Sequence, residues 1–266
     1  MSTLNTRRYW EDRLGEDWSL QSVGFRRLGL RFNEWAYRLR AERFDDVLAQ
    51  HVADVGKRTV LDVGSGTGFY IDAWQRAGVE SVQGVDLTEA AVGKLRSKHP
   101  DVEFIRADVS TGVPNVASGS VDIVSAMDVL FHITEDDRFA MALAEVARML
   151  KPGGLFIWSD LFLHGPERRL PHVSWRSLYR TESLLDRAGF EVVDRTPMFV
   201  TMNEPHDTRF GVARAAWYGL MGLASQSERL GDAVGHATYL IDKRLTRRLA
   251  ESPTTEIMIC RLRPSA

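Results

Sequence analysis

The chain has 266 residues, 44% of them hydrophobic and 26% charged, which suits one α/β core with added helices and excludes a disordered or fibrous chain. A formal net charge of −2 gives no chain-wide reason to expect nucleic acid or a membrane as partner. The single cysteine, Cys260, makes neither an intrachain disulfide nor a zinc cluster and reads as a core thiol.

The opening "MSTLNTRRYWEDR" lacks the apolar segment of a signal peptide, and no apolar run reaches the about 18 residues that span a bilayer. A cytoplasmic enzyme is the expectation. Residues 1–56 read as helical, with Trp35, Leu39, Phe44, Val47, Leu48 and His51 near helical spacing. The aromatics here, Tyr9, Trp10, Trp18 and Tyr37 among them, suit a helical cap closing over a ligand or a packed, solvated helix.

Strand and helix signals then alternate. "RTVLDV" is a β-branched run, "FYIDAWQRA" a helix stopped by Gly78, and "SVQGVD" the second strand. Thr88 caps the helix "EAAVGKLRSKH", which Pro100 ends. "VEFIRA" and "VDIVSAM" are the third and fourth strands. Thr134 and Asp137 have capping-box spacing before a helix that puts Phe139, Leu143, Val146 and Leu150 on one face. "KPGG" is expected to end that helix before the fifth strand, "LFIWSDLFL". There follow a helix ("TESLLDRAG"), a strand ("FEVVDRTPMFV"), one long helical stretch from Arg209 to Leu249, and a last strand, "TTEIMICRL". Such alternation implies a largely parallel sheet covered on both faces. The expected segments are a helical cap over 1–56, a core over 57–205, a helical lid insertion over 206–252 and a final core strand over 253–266.

"LDVGSGTGFY" carries the chemistry. A buried strand holds a carboxylate, Asp62, followed by Gly64, Gly66 and Gly68. Glycines in the first strand-to-helix turn of an open α/β sheet admit a ligand to the backbone. A dinucleotide wants G-x-G-x-x-G/A, but the third position is Phe69. Asp62, Asp86 and Asp108 stand at three consecutive strand ends. They suit a ligand with an ammonium, a ribose diol and an exocyclic amine.

With "GVDLTEAAV", "FIRADVS", "DIVSAMDVLFHI" and "RMLKPGG", the chain resembles the class I S-adenosylmethionine-dependent methyltransferases of small-molecule type over roughly residues 58–162. The resemblance implies a Rossmann-like, doubly wound, seven-stranded sheet whose last strand is antiparallel, with the helical cap and the insertion added. It implies that Asp62, Gly64, Ser65, Gly66 and Gly68 line the methionine part of S-adenosylmethionine. Asp86 then takes the ribose, Leu87 packs on the adenine, and Asp108 with Val109 meets the adenine edge. Met127 and His132 border the methionine amine, and S-adenosylhomocysteine is the product.

A hydroxyl acceptor needs a general base. His132 and Asp128, just past strand four, and His172, in "LPHVSWRSL", are the candidates. Asp160, His206 and Asp207 are weaker ones. Trp35 and Tyr37 of the cap, His164 after strand five, and Trp175 and Arg176 are candidate acceptor contacts. No metal site is expected. The expected partner is a small-molecule acceptor, a natural product or sugar methylated on oxygen, with no nucleic acid and no membrane; an oligomer is compatible with the sequence. Nitrogen or carbon acceptors, an S-adenosylmethionine-binding cyclase or interaction module, an RNA or protein modifier and an NAD-dependent oxidoreductase are the alternatives.

Overall fold

The computed structural model describes residues 6–264, so the first five residues of the expected cap and the last two of the final segment lie outside the described residues. In chain order the elements are α1 (Thr6–Glu16), α2 (Leu20–Val23), α3 (Gly29–His51), β1 (Thr59–Val63), α4 (Phe69–Ala77), β2 (Ser81–Asp86), α5 (Glu89–Lys98) and β3 (Phe104–Arg106). Then come β4 (Val121–Met127), α6 (Asp136–Met149), β5 (Leu150–Asp160), β6 (Arg168–Leu170), β7 (Val173–Trp175) and α7 (Leu178–Arg187). The last are β8 (Phe190–Pro197), α8 (Gly211–Ala224), α9 (Glu228–Leu245) and β9 (Glu256–Leu262).

Seven strands form one sheet in the order β3-β2-β1-β4-β5-β9-β8, with the last strand antiparallel, as expected. β1 runs parallel to β2 on one side and to β4 on the other, so the strand order reverses beside β1. Leu61, Val124, Phe139, Val146, Phe156 and Trp158, all fully buried, belong to the core between sheet and helices. Trp158 stacks on Phe156 with ring centroids 5.5 Å apart. Helix α4 ends at Gly78, whose φ of 75° is the left-handed stop expected there. Thr88 caps α5, its hydroxyl accepting from Ala91 N–H.

Three local expectations are corrected. α6 starts at Asp136 with Glu135 as its N-cap and no side-chain cap bond, so the Thr134–Asp137 box does not form. Asp136 instead takes the guanidinium groups of Arg169, Arg176 and Arg180. "KPGG" lies inside β5 and does not cap α6: Leu150 already pairs with Val121 of β4. The long helical stretch is two helices, because the Ser227 hydroxyl accepts from Leu230 N–H and starts α9 afresh.

The chain divides into two compact units. One holds the described parts of Met1–Glu16 and Met258–Ala266 with Asp54–Asp194; the other holds Asp17–Ala53 and Arg195–Ile257. Within the second, α3 and α9 approach closely at glycines: a Cβ on Gly235 would lie 2.9 Å from Trp35 Cδ1 and 3.2 Å from the Phe32 Cα. Glu228 accepts from Leu30 and Arg31 N–H, both at 3.0 Å, covering open donors in the first turn of α3. Among the described residues, no helix is long and apolar enough to cross a membrane, and no group of three or more His, Cys, Asp or Glu could hold a metal ion.

Candidate active site

The glycine turn leaves β1 and enters α4. Gly64, Gly66 and Gly68 have φ values of 77°, 52° and 81°, the left-handed region that side chains disfavour. Space forbids a side chain at Gly64 as well, since a Cβ there would lie 2.3 Å from Val129 Cγ2. Gly64 N–H donates to Val85 O at 2.7 Å and Gly66 N–H to Asp86 Oδ2 at 2.9 Å, so β2 holds the turn open-handed at the sheet edge.

Asp62 sits beneath this turn and is buried. Its Oδ1 accepts from Ser125 Oγ at 2.7 Å, and that hydroxyl accepts from Trp74 Nε1 at 3.0 Å. No cation among the described residues pairs with it. Burial above all, with the nearby Asp86 carboxylate adding, pushes its pKa up to about 7. A buried carboxylate is costly unless something pairs with it.

Asp86 ends β2. Besides Gly66 it accepts Thr88 N–H at 2.9 Å and Thr88 Oγ1 at 2.8 Å. Burial raises its pKa, opposed by these bonds, and the charge of Glu11 raises it further. Glu11 belongs to α1 and accepts Glu89 N–H at 3.0 Å and Ala90 N–H at 2.8 Å, the open donors of the first turn of α5. Lys94 Nζ donates to Leu14 O at 2.6 Å. Three bonds thus fix α1 on α5, beside the strand end that carries Asp86. Asp108 accepts Ser110 N–H and Oγ at 2.9 and 2.6 Å and forms an ion pair with Arg138 of α6. Val109 is buried beside it and Leu87 is half-buried after Asp86.

At the end of β4, Met127 is buried and Asp128 adopts a left-handed φ of 60°. Its N–H donates to Ser159 Oγ at 2.8 Å, which returns a bond to Oδ1 at 3.1 Å. His132 follows on a 3-10 turn, with Nδ1 2.9 Å from His172 O. A carbonyl only accepts, so Nδ1 carries the hydrogen and Nε2 keeps its lone pair. Burial, foremost, lowers the His132 pKa to about 4. Trp10 stands edge-on to the His132 ring at 5.0 Å, and Tyr9 faces His172 at 5.7 Å. Arg13 lies over Trp10 at 5.0 Å and donates to Tyr9 Oη at 2.6 Å.

The strand ends therefore gather Asp62, Gly64, Ser65, Gly66, Gly68, Asp86, Leu87, Asp108, Val109, Met127, Asp128 and His132 in one unit, and the hairpin β6–β7 brings His172 to His132. The other acceptor candidates are placed differently. Arg176 is buried, bonded to Asp136 Oδ1 at 3.0 Å and Ile133 O at 2.9 Å, with its guanidinium 3.9 Å above Phe139: it pins the hairpin to α6. Trp175 is half-buried in β7 and His164 is exposed after β5. Trp35 and Tyr37 belong to the second unit, where Trp35 donates to Asp232 at 2.8 Å and stacks on His236, and buried Tyr37 lies under Arg40. Sequence reasoning missed Glu11, Arg138 and Ser125. Only Ser125 left a signal, a hydroxyl inside the apolar strand "VDIVSAM".

Residues 60–154 match a family described as a methyltransferase domain. The chain is 32% identical over 208 residues to a probable S-adenosylmethionine-dependent methyltransferase of Mycolicibacterium smegmatis, covering 76% of this chain and 69% of that protein. It is 32% identical over 121 residues to a ubiquinone biosynthesis O-methyltransferase of Alkalilimnicola ehrlichii, spanning 44% of this chain and 47% of the relative. Among solved structures, the [4+2]-cyclase SpnF shares the fold with a TM-score of 0.56 at 22% identity, over 84% of this chain and 81% of that one.

Proposed function

This chain belongs to the S-adenosylmethionine-dependent methyltransferases, and we propose that it methylates a small-molecule hydroxyl using S-adenosylmethionine held at the glycine turn. The carrying observation is Asp62, a buried carboxylate without a cation beneath three left-handed glycines. This donor set fits the cofactor: Asp62 suits the ammonium, Asp86 the ribose hydroxyls, and the glycine turn the close approach of the methionine chain. Leu87 and Val109 offer apolar surface to the adenine, and Asp108 accepts its amine. When bound, S-adenosylmethionine supplies an electrophilic methyl group on a sulfonium.

The protein's own part is alignment, exclusion of water and handling of one proton. His132 is the group proposed to hold that proton at Nε2, since Nδ1–H is committed to His172 O. Trp10 and Tyr9 form the aromatic wall that keeps water from it. An imidazole with a pKa of about 4 is a weak base, which favours an acidic, phenol-like hydroxyl over an aliphatic alcohol. The same weakness favours a second reading, an amine acceptor that needs no strong base. Screening acceptors for the mass gain of one methyl, with His132→Ala alongside, separates the two. With a hydroxyl acceptor, kcat is expected to fall about a hundredfold at unchanged cofactor affinity. An unaffected kcat would assign His132 to the pocket wall.

A further inference from the structure

The second unit carries an apolar surface that its own packing leaves uncovered. Helix α8 has one charged residue, Arg214, and its buried side chains are Met221 and Ala224. Arg214 and Trp217 share that stripe and donate to His206 O at 3.2 Å and Thr201 O at 3.1 Å. The rest of the helix faces water: Val212 is 77% exposed, and Tyr218, Leu220 and Leu223 are exposed too, with Phe210 at 72% just before the helix. On α9, Leu240 and Ile241 are each nearly half exposed.

Cations border the α9 edge of this surface. Leu240 lines a groove of about 640 Å³ together with Trp35, Arg38, Lys243, Arg244 and Arg248. From Lys243 to Arg248 the chain has four cations and no acid. Glu42 and Asp46 engage Lys243 and Arg247, whereas Arg244 and Arg248 have no acid partner among the described residues. The net charge of −2 for the whole chain conceals this local excess.

We propose that α8 and the exposed edge of α9 dock on the surface of an anionic phospholipid bilayer, apolar side chains entering the acyl boundary and Arg244 and Arg248 meeting phosphate headgroups. Charge complementarity selects this occupant. A neutral apolar partner would leave the arginines unmatched. The docking is interfacial, since α8 is too short to span.

The test is flotation of the full chain with vesicles of phosphatidylcholine and phosphatidylglycerol, against vesicles of phosphatidylcholine alone. Binding to the anionic vesicles is expected, at least about tenfold weaker on neutral ones or in high salt. Arg244→Gln with Arg248→Gln should weaken it about tenfold, and Val212→Asp with Leu220→Asp should abolish it, at unchanged circular dichroism. Three results would overturn the proposal. One is no flotation at low salt. Another is equal flotation of wild type and variants. The third is a solution dimer that the aspartate variants dissociate while vesicle binding is absent.

Discussion

At Asp62 the energetic cost and the use of one residue coincide. Its pKa rises to about 7 when folded, so the folded chain retains a proton that the unfolded chain releases at lower pH. Its contribution to stability is therefore full below the unfolded value and is lost as pH rises through about 7. Thermal stability without ligand is expected to fall between pH 5 and 8, and Asp62→Asn should flatten that slope while weakening cofactor binding. A ligand ammonium reverses the shift. Near pH 7, binding should release about half a proton through Asp62, read by calorimetry in two buffers of different ionisation enthalpy and lost in Asp62→Asn. A release unchanged in the variant would remove the ammonium from this carboxylate. His132 shifts the other way: its pKa of about 4 leaves it neutral from pH 5 upward. Its stabilising effect is present above the unfolded value near 6.5 and is lost as pH falls toward 4. The profile of kcat/KM should show no inflection from His132 near pH 6.5. The acids and glycines were legible in the sequence because each stands at a strand end that local pattern locates. Glu11 was not, because its partners are backbone N–H groups 78 and 79 residues away.

Between elements, α1 is held to α5 by Glu11 and Lys94. Glu11→Ala removes two charge-assisted bonds and should weaken this docking by about 1–2 kcal/mol. Amide exchange in α1 should then quicken, with α9 unchanged; protected α1 amides in the variant would show that Trp10 and Tyr9 suffice. In the turn between β1 and α4, Gly64→Val meets both a left-handed φ and the Val129 side chain. It should abolish cofactor binding, and a variant that binds normally would refute the need for a bare backbone there. Element boundaries were readable wherever a local signal acts alone, as at Gly78 and Thr88. They were misread where a tertiary partner competes. Asp136 recruits three arginines from distant elements, and β4 draws Leu150 into the sheet at the residue after α6 ends.

Over the whole molecule, strand order and family agree with the alternation of strand and helix signals, because a parallel sheet demands a helix between neighbouring strands. The division into units was less legible: residues 17–53 and 195–257 join through contacts such as Glu228 to α3, which no local pattern encodes. Saturating S-adenosylhomocysteine, at about a hundred times its dissociation constant, should raise the melting temperature by roughly 5–10 °C. The most direct measurement is calorimetric titration of the folded chain with S-adenosylhomocysteine, with NAD as control. Micromolar binding of the nucleoside and none of NAD is the expected result. No binding of S-adenosylhomocysteine by a chain shown to be folded, or binding of NAD with equal affinity, would contradict the assignment of Asp62 and the glycine turn.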